Sequence, residues 1–134
     1  MFKYSMRGKT HAHRKMVDDV TDEVKGRRLQ EVIDVFRSSV QAKNEREELG
    51  ELRVVLCEGE SKRSGRNGRG VQLTGRTCEN KRTDFSVLSK TALPEGEYGV
   101  VRVTEVRGHS LGAELVGRTT LGRWGGGREE YTEV

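Results

Sequence analysis

A small β-barrel preceded by one long amphipathic helix is the fold this sequence predicts, and three observations predict it. Apolar residues recur at helical spacing across residues 22–47. After Gly50 the apolar period falls to two, the spacing of a half-buried strand. Polar or Gly-containing joints then divide the remainder into five short runs, "LRVVLCEG", "VQLTGR", "DFSVL", "EYGVVRVTEV" and "LGAELVGR". Five strands suit a small OB-like barrel better than a two-sheet sandwich, which takes roughly seven. The predicted class is therefore mainly β with one helix: a five-stranded antiparallel OB-like barrel.

The elements follow in order. Residues 2–19 are polar, basic and irregular, with "FKYS" as a short strand-like entry. His11 and His13 alternate there and would share a side in an extended segment, but no further residue completes a zinc ligand spacing, so no metal site is predicted. Thr21 is placed to cap a helix, with Asp22 and Glu23 complementing the positive end of its dipole. Leu29, Ile33, Phe36 and Val40 then form one apolar stripe, broadened by Val32 and Val35, that needs a surface to lie against. In the strands, Leu111, Ala113 and Leu115 alternate with Gly112, Glu114 and Val116, and Val101 and Val103 alternate with Arg102 and Thr104. Pro94-Glu95-Gly96 supplies the turn before the fourth strand. The Gly-rich, charged end, residues 122–134, reads as a flexible tail.

Composition narrows the function. Hydrophobic residues make up 32% of the chain and charged residues 34%, so the core must be small and concentrated in few segments. The net charge of +4 favours a polyanionic partner, and its distribution says more. Residues 1–16 carry Lys3, Arg7, Lys9, Arg14 and Lys15 with no acid, and residues 61–82 carry seven cations against Glu79 alone. Cys57 and Cys78 lack the spacing of a disulfide framework or zinc site, which suits a reducing compartment, and Cys57 reads as a small buried hydrophobe. No apolar run reaches the roughly 20 residues that cross a membrane, and no secretory signal is read. Neither a catalytic triad, a carboxylate pair nor a P-loop stands out, so the chain reads as a binding module. For the basic stretch, composition leaves a phosphate-binding surface and a solvated charged loop equally open. Aromatic stacking platforms are sparse, so backbone charge would dominate any nucleic-acid binding.

Order and spacing carry more. The stretch "YSMRGKTHAHRKMVDDVTDEVKGRRLQEVIDVFR" resembles the segment that closes the radical-SAM domain of MiaB-type tRNA methylthiotransferases and their eukaryotic relatives, the Cdk5-regulatory-subunit-associated-protein-like branch. Tyr4, Ser5, Arg7, Thr10, Ala12, Asp18, Asp19, Val20, Val24, Lys25, Arg27, Arg28 and Leu29 match that family's pattern in order. "EGESKRS", "LTGRTCENKR" and "EGEYGVVRVTEVRGHSLGAELVGRT" are similar to its TRAM domain, a five-stranded RNA-binding barrel. The resemblance extends from residue 2 to about residue 121.

The resemblance implies a tRNA-binding C-terminal piece of a radical-SAM tRNA methylthiotransferase, not catalytic alone. It divides the chain into the end of the radical-SAM region (1–20), a connecting helix (21–50), a TRAM barrel (51–121) and the tail (122–134). It implies RNA contact by Lys62, Arg63, Arg76, Asn80, Lys81 and Arg82. The full-length enzyme would use S-adenosylmethionine and two 4Fe-4S clusters to add a methylthio group to an N6-modified adenosine beside the anticodon. None of these cofactors is expected in this chain, which lacks the family's C-x-x-x-C-x-x-C motif. The expected partners are tRNA and the radical-SAM and N-terminal cluster-binding domains, with no membrane. The expected location is mitochondrial in a eukaryote and cytoplasmic otherwise. A separately encoded subunit, a stand-alone RNA-binding module and a nonfunctional remnant are the alternatives. Several departures from the family stand out: Gly8 and Thr21 where it has an acidic residue and Pro, Cys78-Glu79 at a turn, the insertion at 65–71, and Asp84 at a position normally apolar. Asp84 would cost about 1–3 kcal/mol if buried unpaired.

Overall fold

The protein is described from a computed structural model, which covers residues 1–66, 68, 70–125 and 128–134. Asn67 and Arg69 of the 65–71 insertion lie outside the described residues, as do Gly126 and Gly127. The chain forms two compact units, Met1–Ser39 and Val40–Val134.

The first unit begins with residues 1–10, which take no regular structure, so the strand expected at "FKYS" does not form. Instead Thr10 caps a short helix, α1 (His11–Lys15), by accepting a hydrogen bond from the His13 amide at 3.2 Å. Helical geometry turns residues two apart by about 200°, so His11 and His13 project to opposite sides rather than the same one. The long helix α2 (Asp22–Glu47) starts where Thr21 Oγ1 accepts from the Val24 amide at 3.4 Å. Lys3 bridges to Asp22 at 2.7 Å, and its hydrogen bond and charge lower the Asp22 pKa. Lys25 pairs with Asp18 and sits 5.4 Å above the Tyr4 ring, a cation–π contact. The α2 stripe is only partly covered. Leu29 and Ile33 are half-buried, whereas Val32, Val35 and Phe36 are exposed. Among the described residues no helix is long and apolar enough to cross a membrane.

The second unit is the barrel. Its strands are β1 (Leu52–Glu60), β2 (Gln72–Thr77), β3 (Arg82–Ser86), β4 (Tyr98–Arg107) and β5 (Ser110–Thr119). Neighbours run β3-β2-β1-β4-β5, and β5 returns to β3, which closes the barrel. The closing β3–β5 pair is parallel and the other four are antiparallel. This agrees with the predicted OB-like class. Val55, Cys57, Leu73, Phe85, Leu93, Val101 and Ala113 fill the interior.

Two features lock the geometry. β1 carries a bulge between Cys57 and Gly59, and there β2 approaches so closely that a Cβ on Gly75 would lie 2.3 Å from the Leu56 carbonyl oxygen. The last turns of α2 grip the β4–β5 turn. Asn44 donates to the Gly108 carbonyl at 2.8 Å, and the Gly108 amide donates to Gln41 Oε1 at 2.7 Å. Asn44 is buried, so this pairing also satisfies a polar group removed from water.

Residues 122–134, read from sequence as a tail, carry three two-residue strands among the described residues. β6 (Trp124–Gly125) pairs with β7 (Arg128–Glu129), and β8 (Thr132–Glu133) adds to β5 at Gly117 and Arg118.

Candidate nucleic-acid interface

The outward face of β2 and β3 holds the candidate site, and strand register builds it. Thr74 pairs with Asp84 and Arg76 with Arg82, so these four share the face opposite Leu73 and Phe85. The bulge in β1 brings Glu58 alongside, with its carboxylate 3.3 Å from Arg76 Nε. Glu58, Glu60, Lys62, Thr74, Arg76 and Arg82 together line one shallow depression.

Each residue expected at the interface can be placed. Lys62 and Arg63 are exposed at the start of the β1–β2 loop. Buried Ser61 anchors that loop: its amide bonds to the Gln72 carbonyl at 2.9 Å, and its hydroxyl donates to Asp84 at 3.1 Å and accepts from the Arg63 amide at 3.2 Å. Arg76 and Arg82 are half-exposed. Asn80 occupies the left-handed region at φ 61°, a conformation Asn tolerates, and closes the β2–β3 turn. Its side-chain oxygen accepts from Arg76 Nη1 at 3.1 Å, so Asn80 orients that guanidinium.

Lys81 points elsewhere. Its ammonium sits between Glu48, which is 2% exposed, and Glu79 at 2.8 Å. Burial alone would lower the Lys81 pKa, but the hydrogen bonds to Glu48 and Glu79 carry it above the ordinary lysine value. Arg53 Nε completes the cluster, 2.8 Å from Glu48. A raised lysine pKa stabilises the fold below the unfolded value of 10.5, and that stability is lost as pH rises through the folded value. Alkaline titration of the native barrel should therefore lower its urea midpoint above about pH 10.5, and Lys81→Met should remove that part of the dependence.

Asp84 is buried, and the structure answers the cost expected of it. Its carboxylate accepts from Ser61 and from Arg82 Nη2 at 3.4 Å, and Arg107 Nη1 lies 3.9 Å away. Arg107 is a face residue that sequence reading missed. Register carries it through Ser110 to Arg82, and its hydrogen bond to Glu105 raises its pKa. The closing β3–β5 pairing brings the Arg107 end of β4 to this face, and no local pattern announces that pairing.

The cysteines do not fit an iron–sulfur cluster. A 4Fe–4S cluster takes three or four thiolates, the chain has two cysteines, and Cys57 is buried in the core while Cys78 is exposed. Among the described residues no group of three His, Cys, Asp or Glu could hold a metal ion. Burial pushes the Cys57 thiol up. A thiol-reactive dye should thus label one cysteine, Cys78, in the native protein and both after unfolding. Fast native labelling of Cys57 would show that the barrel opens readily.

Comparison with known proteins places this geometry in context. The chain is 36% identical over 92% of its length to a "CDK5RAP1-like protein" of Oryza sativa subsp. japonica, covering 21% of that protein. It is 37% identical over 90% of its length to the human "Mitochondrial tRNA methylthiotransferase CDK5RAP1", again covering 21% of it. It is 40% identical over 87% of its length to a "tRNA-2-methylthio-N(6)-dimethylallyladenosine synthase" of Koribacter versatilis, covering 24% of that protein. The chain thus spans about a fifth of the length of the curated relatives it matches. No family model matches it.

Proposed function

We propose, with the similarity to MiaB-like tRNA methylthiotransferases over about nine-tenths of the chain as premise, that this is the RNA-binding C-terminal portion of such an enzyme. In that reading residues 51–121 are a TRAM domain that holds tRNA while the radical-SAM and cluster-binding domains of the longer protein perform the methylthiolation. Those domains would bring the S-adenosylmethionine and iron–sulfur clusters.

One observation carries the RNA-binding part: Lys62, Arg76 and Arg82, from the β1–β2 loop and two adjacent strands, line a single depression. OB-type barrels bind oligonucleotides on the face of their second and third strands and with the flanking loops, which is where these cations lie. Arg63, beside Lys62 in the loop, supplies a fourth cation. Asn80 supports Arg76, and Lys81 serves first as an internal partner for Glu48.

Four phosphate contacts predict a log–log salt slope of about −2.8 for single-stranded RNA, at about −0.7 per contact. Affinity for a labelled oligoribonucleotide should then fall about fifty-fold between 50 and 200 mM salt, as read by fluorescence polarisation. Arg82→Ala should weaken binding at every sequence alike and flatten the slope by about 0.7. RNA affinity indifferent to salt would end the reading.

A further inference from the structure

We propose that Glu58 is a built-in competitor for the phosphate site, so that the depression accepts a polyanion and rejects an isolated phosphate; this rests on the RNA-binding reading above. A surface evolved only to be cationic would keep carboxylates away from its arginines. Here two of them, Glu58 and Glu60, line the same depression as Lys62, Arg76 and Arg82. Glu60 is engaged by Lys90 at 2.7 Å, and Glu58 faces Arg76 at 3.3 Å.

Local backbone explains how Glu58 arrives there. It is the extra residue of the β1 bulge, between Cys57 and Gly59, where the register with β2 shifts. Gly59 takes φ 108°, a conformation that strains residues with a Cβ, so the bulge is held by the residue that tolerates it. Bulges re-aim side chains, and this one directs a carboxylate at a guanidinium.

The energetics make the contact exchangeable. Both side chains are close to half-exposed, so solvent screening leaves their ion pair weak. An incoming phosphate that takes Arg76 from Glu58 therefore gains little from the exchange, and it is repelled by the displaced charge. A single phosphate has nothing else to offset that repulsion. An RNA backbone does, because its neighbouring phosphates reach Lys62 and Arg82 at the same time. Glu58 thereby sets a threshold number of phosphates.

The test is Glu58→Gln in the full chain, read by polarisation of a labelled oligoribonucleotide, with inorganic phosphate as competitor. The variant should bind RNA about three- to tenfold more tightly, from removal of one nearby like charge. With each protein held at the same multiple of its own RNA Kd, inorganic phosphate should displace RNA from the variant at lower concentration than from the wild type. Glu133→Gln, a change of equal charge on β8, should leave both readings unchanged. Unchanged or weaker RNA affinity in Glu58→Gln would overturn the assignment, as would an equal gain from Glu133→Gln. If the wild type binds RNA with the expected salt slope while Glu58→Gln gains nothing, only the competitor role falls. If the wild type shows no salt-dependent binding, the RNA-binding reading falls and this proposal with it.

Discussion

Gly75→Ala should destabilise the barrel by about 3 kcal/mol, the upper part of the range for overpacking a well-filled site. The added methyl would meet the Leu56 carbonyl oxygen at 2.3 Å and its carbon at 3.1 Å. Both are backbone atoms of a paired strand, so they cannot step aside as a flexible side-chain tip would. Relief requires β1 and β2 to separate beside the bulge at Cys57 and Gly59, which opens the core around Cys57 and Leu73. Urea denaturation followed by far-UV circular dichroism measures the loss as a lower midpoint. Gly26→Ala gives the opposite sign. Nothing lies within 4 Å of a Cβ there, and alanine favours a helix interior over glycine by about 1 kcal/mol, so helical content should hold or rise. Equal midpoints for Gly75→Ala and the wild type would mean that the strands approach less closely than described.

Glu48→Ala is the second large effect, and it acts through charge. Glu48 is 2% exposed and takes Lys81 on one carboxylate oxygen and Arg53 on the other. Its removal leaves two cations with side chains 17% and 26% exposed, each desolvated with that partner gone. Breaking a buried pair from one side costs about 3–5 kcal/mol, and the partial exposure of the cations puts this case near the lower bound. Glu79 remains to hold Lys81, and the Glu47 carbonyl still accepts from Arg53 at 2.8 Å, which also limits the loss. Glu48→Gln should cost less than Glu48→Ala, because the amide keeps the shape and one acceptor. A midpoint within experimental error of the wild type for Glu48→Ala would show the cluster to be solvated.

The five strands were legible because each leaves a local trace. Val101 and Val103 in β4, and Leu111 and Ala113 in β5, face the interior as their alternation predicts. The helix was legible by its period and by Thr21. What local pattern omits is the meeting of distant residues. Glu48 lies in an acidic stretch at the end of the helix, and its burial depends on Lys81 arriving from a turn 33 residues later. The same meeting separates Lys81 from Arg82, adjacent cations that sequence treats alike: one is drawn under the helix end and the other opens onto the depression. Asp84 looked misplaced because its partners Ser61 and Arg107 come from a loop and from a strand joined through the closing pair. His11 and His13 misled because a period of two is also compatible with a short helix, which Thr10 starts.

The grip of α2 on the β4–β5 turn bears on where this protein can be cut. Gln41 and Asn44 hold both backbone groups of Gly108, and Glu48 follows one turn later, yet all three precede the first strand. A barrel trimmed to begin at Leu52 would keep every strand and lose every one of those holds. The smallest piece worth isolating therefore begins with the last turns of the helix, and the helix end belongs to the barrel as its sixth wall.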